Sequence, residues 1–192
     1  MEFPIKHNIY TYSDYLKLED GERVELIEGN FVAMSPSPSR IHQKIITEVS
    51  RVIGNFIKEK NLECEVYVAP FDVRLIDKDE TEENCKNVVQ PDISVICDKS
   101  KLDDKGLKGA PDFIIEVVSP SNASVDYVKK LYLYEKFKVK EYWIVNPISK
   151  NIFVYKLDEK GQYSEPEKYT IEDTIKVNIF KELEINIAKL IK

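Results

Sequence analysis

Between residues 112 and 146 the chain runs through an apolar stretch, DFIIEVV, then a stretch with helical spacing, then a second apolar stretch, EYWIVN, stopped by Pro147. Strand, helix, strand in that order implies a parallel pair joined by a crossover, because parallel strands cannot be connected by a two-residue turn. This restricts the chain to the α/β class. With 192 residues, 43% of them hydrophobic and 32% charged, the sequence can bury one sizeable core and is read as a single domain over 1–192.

The remaining elements follow from periodicity. Helical spacing at Tyr12, Tyr15 and Leu16 predicts a helix within 11–19, and 23–34 reads as a hairpin turning at Glu28-Gly29. After the turn-forming SPSPSR, apolar residues recur at Ile41, Ile45, Val49, Val52 and Phe56, the mark of a long amphipathic helix over 41–60. Three apolar runs at 64–69, 71–76 and 88–97 predict strands, with the acidic DKDETEENCK as a mobile loop between the second and third. The helix of the crossover is expected over 124–137. Residues 152–157 are read as a hairpin partner, and the alternating LEINI near the end as a half-buried strand extending or covering the sheet.

The formal net charge of −6 argues against a protein that coats nucleic acid through an overall positive field; a polyanion would need a local basic patch. The apolar stretches are strand-length and the opening MEFPIKHNIY lacks the pattern of a signal peptide, so no membrane span and a cytoplasmic protein are expected. Cys64, Cys85 and Cys97 are widely spaced, without a metal-ligand or redox pattern, and are read as unreactive thiols.

Two acids stand where apolar residues are the rule. Asp92 is the lone charge in VVQPDISVI, and in DFIIEVV alternation places Glu116 on one face with Ile114 and Val118. A carboxylate there is costly unless it is paired or binds a cation. Two such acids on separate strands suit Mg²⁺, which takes one or two carboxylates plus water and phosphate oxygens. A buried Lys or Arg opposite each acid explains them equally, and the pattern leaves both explanations open.

Other candidates cluster after Glu116. Asp126 and Lys130, four apart, share a helix face, and Asp126 is also explained as a helix-start acid favoured by the dipole. Over 129–140 Lys129, Lys130, Lys136, Lys138 and Lys140 face only Glu135, forming either a phosphate-docking patch or an ordinary solvated face. His42, near the start of the long helix, is favoured as a neutral ring by the dipole; it suits positioning a water or phosphate, or a hydrogen bond at the core edge. Glu25, alternating with Val24 and Leu26, is expected to face solvent.

Taken together, RVELIEGNFVAMSPSPSRIHQKI, VAPFDVRL, VVQPDISVI, GAPDFIIEVVSPSN and the segment 126–134 followed by KEYWIVNP resemble the Uma-two family of restriction endonucleases, within the PD-(D/E)XK nucleases, over about residues 10–157. The resemblance implies a restriction-endonuclease-like αβββαβ core: a central mixed sheet flanked by helices, here with an N-terminal helix and hairpin and a C-terminal β extension. It also implies Mg²⁺, with Mn²⁺ as substitute, and phosphodiester hydrolysis on nucleic acid, DNA foremost. The family's acids fall on Asp92 and Glu116, its helix acid and lysine on Asp126 and Lys130, its early Glu on Glu25 and its His on His42. The backbone carbonyl of Val117 would join Asp92 and Glu116 around the metal. One position departs from the superfamily pattern: where (D/E)XK has lysine this chain has Val118. Lys130 on the helix is the expected substitute, with Lys129 its rival, since a lysine need only deliver a point charge on a flexible stem. Cutting both strands of a duplex needs two sites, which implies a homodimer. A non-catalytic nucleic-acid- or protein-binding domain that keeps the nuclease fold is the alternative, as is a structural protein with ordinary buried ion pairs, because fold alone does not establish activity.

Overall fold

The computed structural model describes residues 9–19, 22–34, 39–118 and 125–192. A short helix, α1 (Tyr12–Tyr15), is capped by Thr11 and Asp14 in a reciprocal box, and precedes the hairpin β1 (Val24–Ile27) and β2 (Asn30–Ala33). Its turn falls at Glu28 and Gly29, whose φ angles of 49° and 74° lie in the left-handed region that lets a two-residue turn match the right-handed twist of its strands. A Cβ on Gly29 would lie 2.5 Å from Ile9 Cγ2, so glycine is required there for space as well as conformation.

The long helix α2 (Arg40–Glu59) begins at Ser39, whose hydroxyl accepts from the His42 N–H at 3.2 Å, and it buries Ile45, Ile46, Val49, Ile53 and Ile57. It is followed by β3 (Glu65–Val68), β4 (Val73–Arg74), β5 (Val88–Val89), β6 (Ile93–Ile96), β7 (Leu102–Asp103), β8 (Gly106–Lys108) and β9 (Phe113–Val117). A wide π-helical turn, Val125–Lys130, runs into α3 (Leu131–Lys136), then come β10 (Glu141–Asn146) and β11 (Asn151–Lys156). The C-terminal part supplies β12 (Glu167–Thr170), β13 (Ile175–Lys176), β14 (Glu184–Ile185) and α4 (Ile187–Leu190).

The strands form two six-stranded mixed sheets and a small ribbon. The main sheet has the order β12-β11-β10-β9-β6-β3, in which β9 and β10 are the parallel pair that the crossover implies. Helix α2, the antiparallel strands β3, β6 and β9, helix α3 and strand β10 reproduce the αβββαβ order. The second sheet, β2-β1-β5-β4-β8-β7, gathers the early hairpin and the short strands between β3 and β9. Of the 71–76 run, read as a strand, only Val73–Arg74 pairs, and with β5 from the 88–97 run it lies in this second sheet, whereas β6 from that same run joins the main one. LEINI pairs with β13 in the ribbon rather than joining the main sheet.

Alternation along β9 divides the core. Phe113, Ile115 and Val117 pack with α2 and the C-terminal segment, whereas Ile114 and Val118 pack between the main sheet, α3 and the second sheet. Glu116 shares the latter face. A third cluster of Tyr12, Leu26, Cys85 and Val88 seats α1 on the second sheet.

Two expectations are corrected here. Cys64 and Cys97 are joined in a disulfide and only Cys85 is a free, buried thiol. Antiparallel pairing of Glu65 with Ile96 sets Cys64 and Cys97 opposite each other on the next rung, a proximity that sequence spacing does not reveal. The acidic stretch 77–86, expected to be a mobile loop, is tied down: Asp77 pairs with Lys136, Glu80 with Lys86, and Glu82 with Arg74 and Lys108.

Candidate active site

Asp92 immediately precedes β6 and Glu116 lies within β9. These strands run antiparallel with Ile93 opposite Ile115, so the next rung places the two acids opposite each other. Each is held by the other strand's backbone: the Val117 N–H donates to Asp92 Oδ2 at 2.7 Å, and the Asp92 N–H reaches Glu116 Oε2 at 3.3 Å. The register of one strand pair thus fixes both carboxylates.

Lys130 comes in from the π-helical turn. Its ammonium lies 2.8 Å from Glu116 Oε1 and 2.9 Å from Glu25 Oε1, with all three residues about 95% buried. Lys129, its rival, is exposed. Glu25 contradicts its sequence reading: it is 4% exposed, not solvated. Alternation was read correctly, but the face of β1 that Glu25 shares with buried Ile27 is itself covered. Its Oε1 also accepts the Gln90 N–H at 2.8 Å. Gln90 in turn donates through Nε2 to Asp72 Oδ1 at 2.8 Å and to the Tyr15 hydroxyl at 3.1 Å. Burial beside Asp72 pushes the Tyr15 phenol well above its ordinary range, so it stays a neutral donor, to Asp72 Oδ1 at 3.1 Å.

His42 approaches from the start of α2, its Nε2 3.2 Å from Asp92 Oδ2. Its Nδ1 is buried and, among the described residues, has no hydrogen-bond partner. The side chain of Asp126 lies outside the described residues. Of the sequence-derived candidates, then, Asp92, Val117, Glu116, Lys130, Glu25 and His42 meet in one place.

Sequence reasoning assigned no role to Tyr134, whose hydroxyl donates to Glu116 Oε1 at 2.9 Å, nor to Gln90. The signal for Tyr134 was present in its spacing: it lies one turn after Lys130, so a helix phase that brings one inward brings the other. The lysines of 129–140 do not act together as a patch. Lys136 pairs with Asp77 at 2.6 Å, Lys140 with Asp112 at 2.6 Å, and Lys138 donates to the Gly161 carbonyl at 2.7 Å. Only Lys130 turns into the site.

The site's chemistry suits a hard divalent cation. Among the described residues no group of three or more His, Cys, Asp and Glu side chains is arranged to hold a metal ion, so a closed protein cage is not offered. An ion that uses one or two carboxylates and completes its shell with water and phosphate oxygens needs no such cage. Formal charge agrees: among the described residues, the carboxylates of Glu25, Asp92 and Glu116 outnumber the single ammonium of Lys130 that pairs with them. Asp92 and Glu116 would hold the ion, with the Val117 peptide adjoining Asp92.

An αβββαβ core carrying opposed acids on adjacent central strands, with a lysine delivered beside them, defines the restriction-endonuclease-like fold class. The comparisons agree. Residues 12–188 match the model of the Uma2 family, described as "Putative restriction endonuclease", and the chain belongs to that family. The crystal structure of a putative nuclease belonging to DUF820 from Anabaena variabilis superposes with a TM-score of 0.71 at 24% identity, covering 94% of this chain and 97% of that one. An uncharacterized protein of Synechocystis sp. is 26% identical over 153 residues, 78% of this chain and 75% of its own length.

Proposed function

We propose that the protein is a metal-dependent endonuclease that hydrolyses phosphodiester bonds in DNA, using Asp92, Glu116 and Lys130. The observation that carries this reading is the meeting of Asp92 and Glu116 across one strand pair with a buried lysine on Glu116. Membership in a family described as "Putative restriction endonuclease" supports it. Mg²⁺, or Mn²⁺ in its place, would when bound supply Lewis acidity toward a phosphoryl oxygen and a more acidic water.

The chain's own residues divide the remaining work. Asp92 and Glu116 present oxygen donors from rigid strands, and the Val117 carbonyl is assigned as a further donor, its peptide N–H being on Asp92. Lys130, anchored by Glu25, keeps a positive charge beside the place where a phosphate would sit, offsetting charge that develops in the transition state. His42, whose Nε2 lies against Asp92, is assigned to positioning a water or a phosphate. Asp126 is assigned to orienting Lys130 or extending the metal's surroundings. Because one such site cuts one strand, duplex cleavage would use a homodimer. Placement in the cytoplasm belongs to the same reading; among the described residues no helix is long and apolar enough to cross a membrane.

Calorimetric titration with Mn²⁺, run alongside nicking of supercoiled plasmid, tests the assignment on wild type, Asp92→Ala and Glu116→Ala. Wild type should bind and nick, and both variants should lose binding and at least about 100-fold in nicking rate, the upper end of what losing even an outer-shell partner of a metal ligand costs. Full nicking by either variant would overturn the assignment. A wild-type protein that binds no Mn²⁺ would favour the non-catalytic binding domain, for which the pairing of Lys130 with both Glu25 and Glu116 already supplies a charge partner.

A further inference from the structure

Among the described residues, two side-chain donors meet on one oxygen of Glu116. Lys130 Nζ at 2.8 Å and the Tyr134 hydroxyl at 2.9 Å both bond Oε1, one on each side of a single helical turn. Oε2 is turned the other way, toward the Asp92 backbone at 3.3 Å. A carboxylate can rotate about its last side-chain bond, and that torsion is broad and roughly two-fold, so its plane is set by its partners rather than by its own preference.

Of the two donors, Lys130 is poorly suited to fix that plane alone. Its ammonium is a point charge whose three donors rotate about one bond, and it is shared with Glu25. Tyr134 is different in kind. Its side chain is fully buried, and its ring meets Tyr142 edge-on, with centroids 4.9 Å apart and planes at 81°. The hydroxyl is therefore delivered from a rigid ring at a fixed point and carries no charge.

We propose that Tyr134 is a positioning residue for the nuclease site: it holds Oε1 of Glu116 toward the helix and so presents the Oε2 edge of the carboxylate to the metal beside Asp92. This rests on the nuclease reading of the same acids. Loss of the hydroxyl leaves the charge of the site unchanged and loosens the carboxylate, which then keeps the mobile Lys130 ammonium and the longer Asp92 N–H bond at 3.3 Å, so metal affinity falls although each proposed ligand is still present.

Tyr134→Phe removes that one group. Partners that orient a metal ligand typically contribute 10- to 100-fold to affinity, so the variant should raise the Kd for Mn²⁺ by about tenfold in calorimetry. Tyr163→Phe is the control: its hydroxyl donates to the Val139 carbonyl at 2.9 Å and makes no hydrogen bond to either acid. Both variants should unfold within about 5 °C of wild type, as expected for one lost hydrogen bond in a domain this size. Only Tyr134→Phe should weaken Mn²⁺ binding. Equal Mn²⁺ affinity in Tyr134→Phe and wild type overturns the inference while leaving the nuclease reading intact. Equal weakening in Tyr163→Phe assigns the effect to general packing and overturns it as well. Wild-type protein that binds no Mn²⁺ overturns the nuclease reading and this inference with it.

Discussion

Lys130 is a cation less than a tenth exposed between two carboxylates, which makes its energetics two-sided. The pairs offset the cost of burying the charge, but removing the lysine alone leaves two acids buried against each other. Lys130→Met should therefore lower the unfolding free energy by about 3 kcal/mol, the usual cost of stranding a buried ionic partner, as well as abolish nicking. Adding Glu25→Gln should recover most of that stability without recovering activity, and a double-mutant cycle by urea unfolding measures both terms. At this scale the sequence was informative where a charge interrupted an apolar strand, as at Asp92 and Glu116. It failed at Glu25, because alternation states which face a side chain takes and not whether another layer covers that face. It also passed over Gln90 and Tyr134, polar residues whose importance lies in what they touch.

Among the elements, β4 shows how a two-residue strand can anchor its surroundings. Arg74 is fully buried there, bonding Glu82 and Asp103 at 2.5 Å each, with its guanidinium carbon 5.5 Å from the centre of the Tyr12 ring. The Arg74 bond holds the Asp103 carboxyl down at about 2, against an ordinary Asp value near 3.9. A carboxylate depressed in this way contributes stability above its unfolded-state value and loses it as pH falls toward the folded-state value. Asp103→Asn should thus cost about 1 kcal/mol at pH 6, discounted because Asp103 is about one-third exposed, with the difference from wild type vanishing by about pH 2. Chemical unfolding at stepped pH reads this directly. Helix α2, the early hairpin and the β9–α3–β10 crossover were all legible, since each rests on local periodicity or turn chemistry. The second sheet as a separate layer was not: the runs 71–76 and 88–97 were read as strands, but β4 and β5 within them are two residues long, like β7, and their partners alone decide which sheet they join.

For the whole molecule, the Cys64–Cys97 disulfide closes a loop of 33 residues, spanning β3 through β6 and so enclosing Asp92. Constraint of the unfolded chain by such a loop is worth about 3 kcal/mol. Reduction, or Cys64→Ser with Cys97→Ser, should lower Tm by roughly 6–12 °C in a domain of this size, readable by calorimetry with and without reductant. Mn²⁺ binding should survive at 20 °C, because the strand pair that places the acids does not depend on the bond.

That strand pair carries a further meaning for how such a chain can change over time. Asp92 and Glu116 each lean on the backbone of the opposite strand, so an inserted or deleted residue in either strand turns the acids to the other face and breaks both supports at once. Lys130 reaches the same point from a helix by a flexible stem, and several helix positions could deliver an ammonium there. The acids are locked to one rung of the ladder while a lysine could be carried by other helix positions, so that with Val118 at the third position of the (D/E)XK pattern Lys130 would keep a positive charge at the acids.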